Sequence, residues 1–380
     1  MKILVAPDSF KGSLSAQDVA KSLREGILRV APEIQVDLLP VADGGEGTCA
    51  AIVAAIGGEI VKKTVTGPNG NPVEAFLGIA GDMAVIEMAA ASGLALVPAG
   101  EMRPREATTY GTGELMRYAL DAGCKRIIMG IGGSATTDGG TGMAQALGVR
   151  LLNADGRELG RGGGALDRLA SIDVSQMDPR IAACGIIVAT DVSNPLYGES
   201  GCAAVYGPQK GCDGQDVAAL DSNMRHYARI LQEQLGKDVA PVPGAGAAGG
   251  LGAGLLAFCG ATLKSGVDTV LDAVNFDQHV LDADLVITGE GRIDFQSAFG
   301  KLPVGVAKRA KAAANVPVIA VVGSIGQGAE AVYEHGITST ISIVDKPMTL
   351  DNAINDAPRL IANAAERVIR IVLAEHEMPF

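Results

Sequence analysis

The 380-residue sequence has no tryptophan and only 3% aromatic residues. A core without large rings must be filled by Ala, Val, Ile, Leu and Met, packed closely against many of the 51 glycines. That composition suits helices lying tightly on parallel strands. Cysteine offers no metal spacing: Cys49, Cys124, Cys184, Cys202, Cys212 and Cys259 form no CxxC and no Cys/His pair. The expectation is reduced core thiols in the cytoplasm rather than a zinc site. Long apolar runs are also missing. Leu251–Leu263 has 13 residues, three of them Gly, too short to cross a bilayer. After Lys2 only Ile3–Ala6 are apolar before Pro7 and Asp8, so no targeting segment is expected. With a net charge of −12, neither a nucleic acid nor an anionic membrane is an expected partner. An anionic small ligand is still allowed, because a few local cations and backbone N–H groups can override net charge.

Two catalytic signatures are absent as well. There is no G-x-x-x-x-G-K-[ST], so a Walker-type NTPase is unsupported, and no G-x-S-x-G, which leaves His-based acyl transfer without a basis. Gly244–Gly249 matches G-x-G-x-x-G, but Pro241 and Pro243 stand where a buried strand would have to precede it. That glycine-rich stretch reads better as the start of a closely packed helix, or as backbone that touches a nucleotide.

What is present is a strand–helix alternation at both ends. The length exceeds what one core usually organises, so two domains are expected. Apolar runs at 2–7, 36–42, 284–291, 316–323 and 339–344 are interleaved with 3.6-period stretches at 15–30, 46–56, 304–314 and 350–375. The simplest arrangement is an α/β fold with two domains. One is a flavodoxin/Rossmann-like doubly wound parallel-sheet domain formed by both termini (1–61 plus 281–380). The other is a mixed α/β domain inserted at 62–280, opening with short antiparallel runs around P-N-G-N and G-D turns. A cleft between the two is the default place for a ligand.

Doubly wound sheets bind ligands outside the carboxyl ends of their strands. The loops expected there are Asp8–Ser13, Asp43–Thr48 and Gly289–Asp294, joined from the inserted domain by Gly132–Gly140 and Asp191–Pro195. D-G-G-x-G occurs twice, at Asp43–Gly47 and Asp138–Gly142. Each copy precedes a helical pattern, so Gly44 and Gly45, or Gly133, Ser134, Thr137 and Asp138, are candidates for an anion cradle of backbone N–H groups. The plainer reading is that both Asp residues cap helices. Asp8 and Ser9 are candidates for substrate or phosphate binding. Lys11 and Arg292 could offset a phosphate or carboxylate charge. Glu290 and Asp294 are candidates for Mg²⁺, which needs only one or two carboxylates besides phosphate oxygens. Asp191 is the first candidate to orient or deprotonate an acceptor hydroxyl, with Asp43 the alternative. A site of carboxylates, cradles and cations suits phosphoryl transfer, which is mostly positioning and charge stabilisation.

Along its whole length the sequence resembles the bacterial class I glycerate kinases. APDSFKGSLSA, PVADGGEGT, VIEMAAASGL, GTGEL, GIGGSATTDGG, DVSNPL, VYGPQKG, PGAGAAGG and VITGEGRID stand in order like the blocks of that family. The resemblance implies ATP:D-glycerate phosphotransfer with Mg²⁺, 2-phosphoglycerate as product, a place in glyoxylate or aldarate catabolism, and a two-domain α/β fold. The competing reading is a non-catalytic two-domain sensor of a small hydroxy acid.

Overall fold

The computed structural model describes residues 1–375 and divides into two units, Met1–Asp43 with Val267–Phe380, and Gly44–Gly266. The terminal unit carries a five-stranded, all-parallel sheet in the order Ser339–Ser342, Val318–Ile325, Leu285–Ile293, Lys2–Val5, Gln35–Leu38. Numbered along the chain this is 2-1-3-4-5, the flavodoxin-like order expected of doubly wound sheets. Helix Ala16–Val30 starts where the Ser15 hydroxyl accepts the Asp18 N–H, and it buries Val19, Ala20, Leu23 and Ile27 at helical spacing. Its Gly26 lies against the Ala362 carbonyl of helix Ala357–Glu375.

One strand departs from the expectation. Leu285–Ile293 does not end at residue 288: Glu290, Arg292 and Ile293 register with Val322, Ser324 and Ile325 of its neighbour. Glycine makes this extension possible, because a Cβ on Gly289 would lie 2.2 Å from the Val321 carbonyl oxygen. Glu290 therefore sits on a rigid strand, not in a loop.

The inserted unit is built on a six-stranded sheet in the order Thr262–Lys264, Gly185–Ala189, Arg126–Gly130, Met83–Glu87, Pro72–Ala80, Glu59–Thr66. The last three strands pair antiparallel, as the short runs and turns predict, and the other pairings are parallel. Its core is largely aliphatic, with Tyr227 and Phe258 as buried rings.

The two units part at Asp43/Gly44 and Gly266/Val267, earlier than the crossings expected near 62 and 280. Helix Thr48–Ile56 explains the first difference. Its sequence, TCAAIVAAI, has no polar face to show which sheet it serves. In the structure Cys49 and Val53 pack on Gly78 of the inserted unit's sheet.

Candidate functional site

In the terminal unit the carboxyl end of the sheet gathers a cluster of charges. The backbone N–H of Asp8 donates to Gly289 O at 2.8 Å, tying the first loop to the central strand. The Asp8 carboxylate is 5% exposed and accepts the Ser9 N–H at 2.6 Å and the Ser9 hydroxyl at 3.3 Å. Burial, with the charge of Asp43 added, pushes its pKa to about 6 against the opposing Ser9 bonds and Lys11. Glu290, 8% exposed, accepts the Ser297 hydroxyl at 2.8 Å. Its burial, reinforced by Asp8 and Asp294, pushes it up to about 7, although Ser297 and Lys301 pull the other way. Lys11 pairs with Asp43 at 2.8 Å. Burial of the ammonium is outweighed by the Asp43 bond and by the charges of Asp43, Asp8 and Glu290, so its pKa lies above the ordinary value.

Arg292 and Asp294 are engaged with each other at 3.3 Å. Asp294 also caps the short helix Phe295–Phe299 by accepting the Gln296 N–H at 3.0 Å, and has Lys301 at 3.9 Å. Its oxygens already face two cations and an amide, and no cation lies within ion-pair distance of Asp8 or Glu290 among the described residues, where burial raises both pKa values.

Carboxylates of the inserted unit take backbone amides in or beside both D-G-G-x-G motifs. Asp138 is fully buried; one oxygen accepts Thr109 N–H (2.8 Å), the Thr109 hydroxyl (2.9 Å) and Gly142 N–H (3.2 Å), the other Gly140 N–H (3.0 Å). Burial still raises its pKa against those four bonds. For this copy the capping reading replaces the cradle, because Asp138 itself consumes the amides. At the other copy, buried Glu87 accepts Cys49 N–H at 2.8 Å and the Gly47 amide, closing the N-terminus of helix Thr48–Ile56. Gly44 packs against Gly266 and Ala189; Gly45 accepts the N–H of Thr48 at 3.3 Å.

The open part of loop Gly132–Gly140 is its beginning. Gly132 and Gly133 are exposed, a Cβ on Gly132 would meet nothing within 4 Å, and among the described residues no acceptor takes either N–H. Ser134 and Thr136 turn inward and share a hydroxyl contact at 3.0 Å, while the buried Thr137 hydroxyl has no hydrogen-bond partner among the described residues. Asp191 is exposed past the end of strand Gly185–Ala189, where it accepts the Gly266 N–H at 2.9 Å. The discounted G-x-G-x-x-G runs into helix Ala247–Cys259 with no strand directly before it, and Ala248, Gly249 and Gly250 are all left-handed.

Two residues escape sequence reasoning. Glu87 ends a strand in the quoted VIEM run, and nothing local says that it caps a helix 38 residues away in the chain. Lys210, in the VYGPQKG run, is 2% exposed and donates to Thr136 O. A lysine beside Pro208 and Gly211 looks like an ordinary solvated turn residue.

These features define a flavodoxin-like α/β protein with an inserted α/β unit and a buried acid pair, screened by lysine, at its strand ends. The model of the glycerate kinase family matches residues 3–373. The sequence is 55% identical to glycerate kinase of Halalkalibacterium halodurans over 96% of this chain and 97% of that protein. It is 50% identical to glycerate 2-kinase of Escherichia coli over 97% of each. A Salmonella typhimurium LT2 crystal structure, provisionally named glycerate kinase 2, matches with a TM-score of 0.92 at 48% identity and covers 100% of both chains. This chain belongs to the glycerate kinase family.

Proposed function

We propose that this protein transfers the γ-phosphoryl group of ATP to a hydroxyl of D-glycerate, forming 2-phosphoglycerate, as a cytoplasmic enzyme that uses Mg²⁺. The names of the relatives support the substrate. The observation that carries the chemistry is the pair of buried acids Asp8 and Glu290, whose carboxyls resist ionisation through burial and like charge, from Asp43 on Asp8 and from Asp8 and Asp294 on Glu290. A nearby cation relieves both penalties, so these oxygens fit Mg²⁺. Among the described residues no three His, Cys, Asp or Glu side chains gather as a cage. One or two carboxylates plus phosphate oxygens are the usual Mg²⁺ set. Asp8 and Glu290 would hold the ion, with Asp294 committed to its cap and to Arg292. When bound, Mg²⁺ would neutralise charge on phosphate oxygens.

The chain's own groups have separable tasks. Lys11 and Arg292 offset the negative charge of phosphate or carboxylate. The N–H groups of Gly132 and Gly133 donate to anionic oxygens. Asp191 orients or deprotonates the acceptor hydroxyl, with Asp43 less suited because Lys11 already holds it. No membrane or nucleic-acid partner enters this reading; among the described residues no helix is long and apolar enough to cross a membrane.

A coupled ADP-release assay with D-glycerate, with and without Mg²⁺, tests the reaction, and ³¹P NMR of the product tests the position phosphorylated. Absence of glycerate-dependent ADP release would reject the proposal. Asp191→Asn should lower kcat by about 10²-fold or more with a smaller change in KM. Retention of most of kcat by a folded variant would remove Asp191 from this role.

A further inference from the structure

Lys210 has no part in the chemistry so far, yet it is 2% exposed, a rare environment for an ammonium. It closes the turn Pro208–Lys210, and its Nζ donates to the carbonyl oxygen of Thr136. That carbonyl is confined from the other side: a Cβ on Gly249 would lie 1.9 Å from it. Three further bonds lace the same loop to its surroundings. The Ser134 hydroxyl donates to Ala248 O at 3.3 Å and Gly139 N–H donates to Gly249 O at 3.0 Å. The Tyr227 hydroxyl donates to Gly139 O at 3.2 Å. Ala248 holds φ at 53°, uncommon for a residue with a side chain, so this fit is maintained at some cost. The result is a loop whose residues 134–140 are clamped while Gly132 and Gly133 stay open.

We propose that Lys210 is a positioning residue for phosphoryl transfer, its buried ammonium holding Thr136 O so that the exposed Gly132–Gly133 amides keep the geometry that receives an anionic oxygen. This rests on the reading that those amides meet the substrate. A buried apolar side chain would fill the same space more cheaply, but would neither hold the carbonyl nor place positive charge behind the cradle. The groups whose charge acts on Lys210 are the Asp138 carboxylate and the thiols of Cys202 and Cys212. Burial pulls its pKa down to about 8 against these three, so the charge is lost in an accessible pH range.

The test compares wild type, Lys210→Met and Lys210→Arg in the glycerate-dependent ADP-release assay from pH 6.5 to 9.5, with melting temperatures recorded alongside. In the wild type kcat should fall as pH rises through about 8. Lys210→Met should lower kcat at pH 7 by about tenfold, with little change in the KM for ATP, and should lose that alkaline limb. Lys210→Arg should keep part of the activity and also lose the limb, since a guanidinium stays charged. A folded Lys210→Met with wild-type kcat and the same alkaline limb would overturn the proposal. If Lys210→Met fails to fold, Lys210→Arg decides: an unchanged limb overturns the assignment and a flattened one supports it. Wild-type protein without glycerate-dependent turnover would overturn the parent reading, and this inference with it. Wild-type turnover with unaffected variants would overturn this inference alone.

Discussion

Glu290→Gln should stabilise the protein at high pH while impairing it as a catalyst. The carboxyl of Glu290 is 8% exposed and its pKa is moved from the ordinary 4.5 to about 7. The folded-state value lies above the unfolded one, so the fold disfavours ionisation. That penalty is absent below about pH 4.5, grows between 4.5 and 7, and is complete above 7, where it amounts to about 3 kcal/mol. Gln keeps an oxygen for the Ser297 hydroxyl, 2.8 Å away, and never ionises. Its amide group loses about 1 kcal/mol for an unpaired donor. The net expectation is a gain of about 2 kcal/mol at pH 8 and a small loss at pH 4.5. At pH 8 that corresponds to a melting temperature higher by roughly 4–8 °C. Scanning calorimetry in EDTA at both pH values measures it. Adding Mg²⁺ at pH 8 should raise the melting temperature of the wild type but not of Glu290→Gln, and glycerate-dependent ADP release by the variant should fall. A variant that melts at or below the wild type at pH 8 would refute the reasoning, because the acid would then not be held in an unfavourable charged state.

Two other substitutions probe separate parts of the molecule. Gly249→Ala would place a Cβ 1.9 Å from Thr136 O at a φ of 68°. Left-handed strain of about 1–2 kcal/mol and overpacking of about 1–3 kcal/mol should lower stability in urea and displace the Thr136 carbonyl from Lys210. Wild-type stability would mean that the two loops are not locked together. Lys11→Met removes the cation beside Asp8, Asp43 and Glu290 and should lower kcat/KM by about tenfold to a hundredfold, with partial retention in Lys11→Arg. Unchanged kcat/KM would leave Lys11 as a surface partner of Asp43.

Local pattern was enough to recognise the doubly wound sheet. Five apolar runs bounded by turns and interleaved with 3.6-period stretches are visible without any tertiary information, because burial on both faces leaves a continuous apolar strand. The loops that carry Asp8, Lys11 and Asp43 were legible for the same reason: once strand ends are known, the binding end of the sheet follows. The blocks shared with the glycerate kinase family were legible as well, being contiguous in the chain.

Pairings distant in sequence decided the rest. D-G-G-x-G looks like an anion cradle in both places, but whether its amides are free depends on Glu87, Thr109 and Asp138, brought together only by folding. Glu290 reads as a loop residue until its strand is seen to continue beside Val322. The allegiance of helix Thr48–Ile56 is invisible in a segment that is apolar on every side. Lys210 becomes unusual only once its environment is known, since the cost of burying a charge belongs to the surroundings and not to the residue. The absence of tryptophan and the abundance of glycine had already indicated an aliphatic interior with close backbone approach. Where that approach places a charge, as at Thr136 O beside Lys210 and Gly249, only the tertiary structure decides, because Thr136 meets Lys210 across 74 positions of chain and Gly249 across more than a hundred.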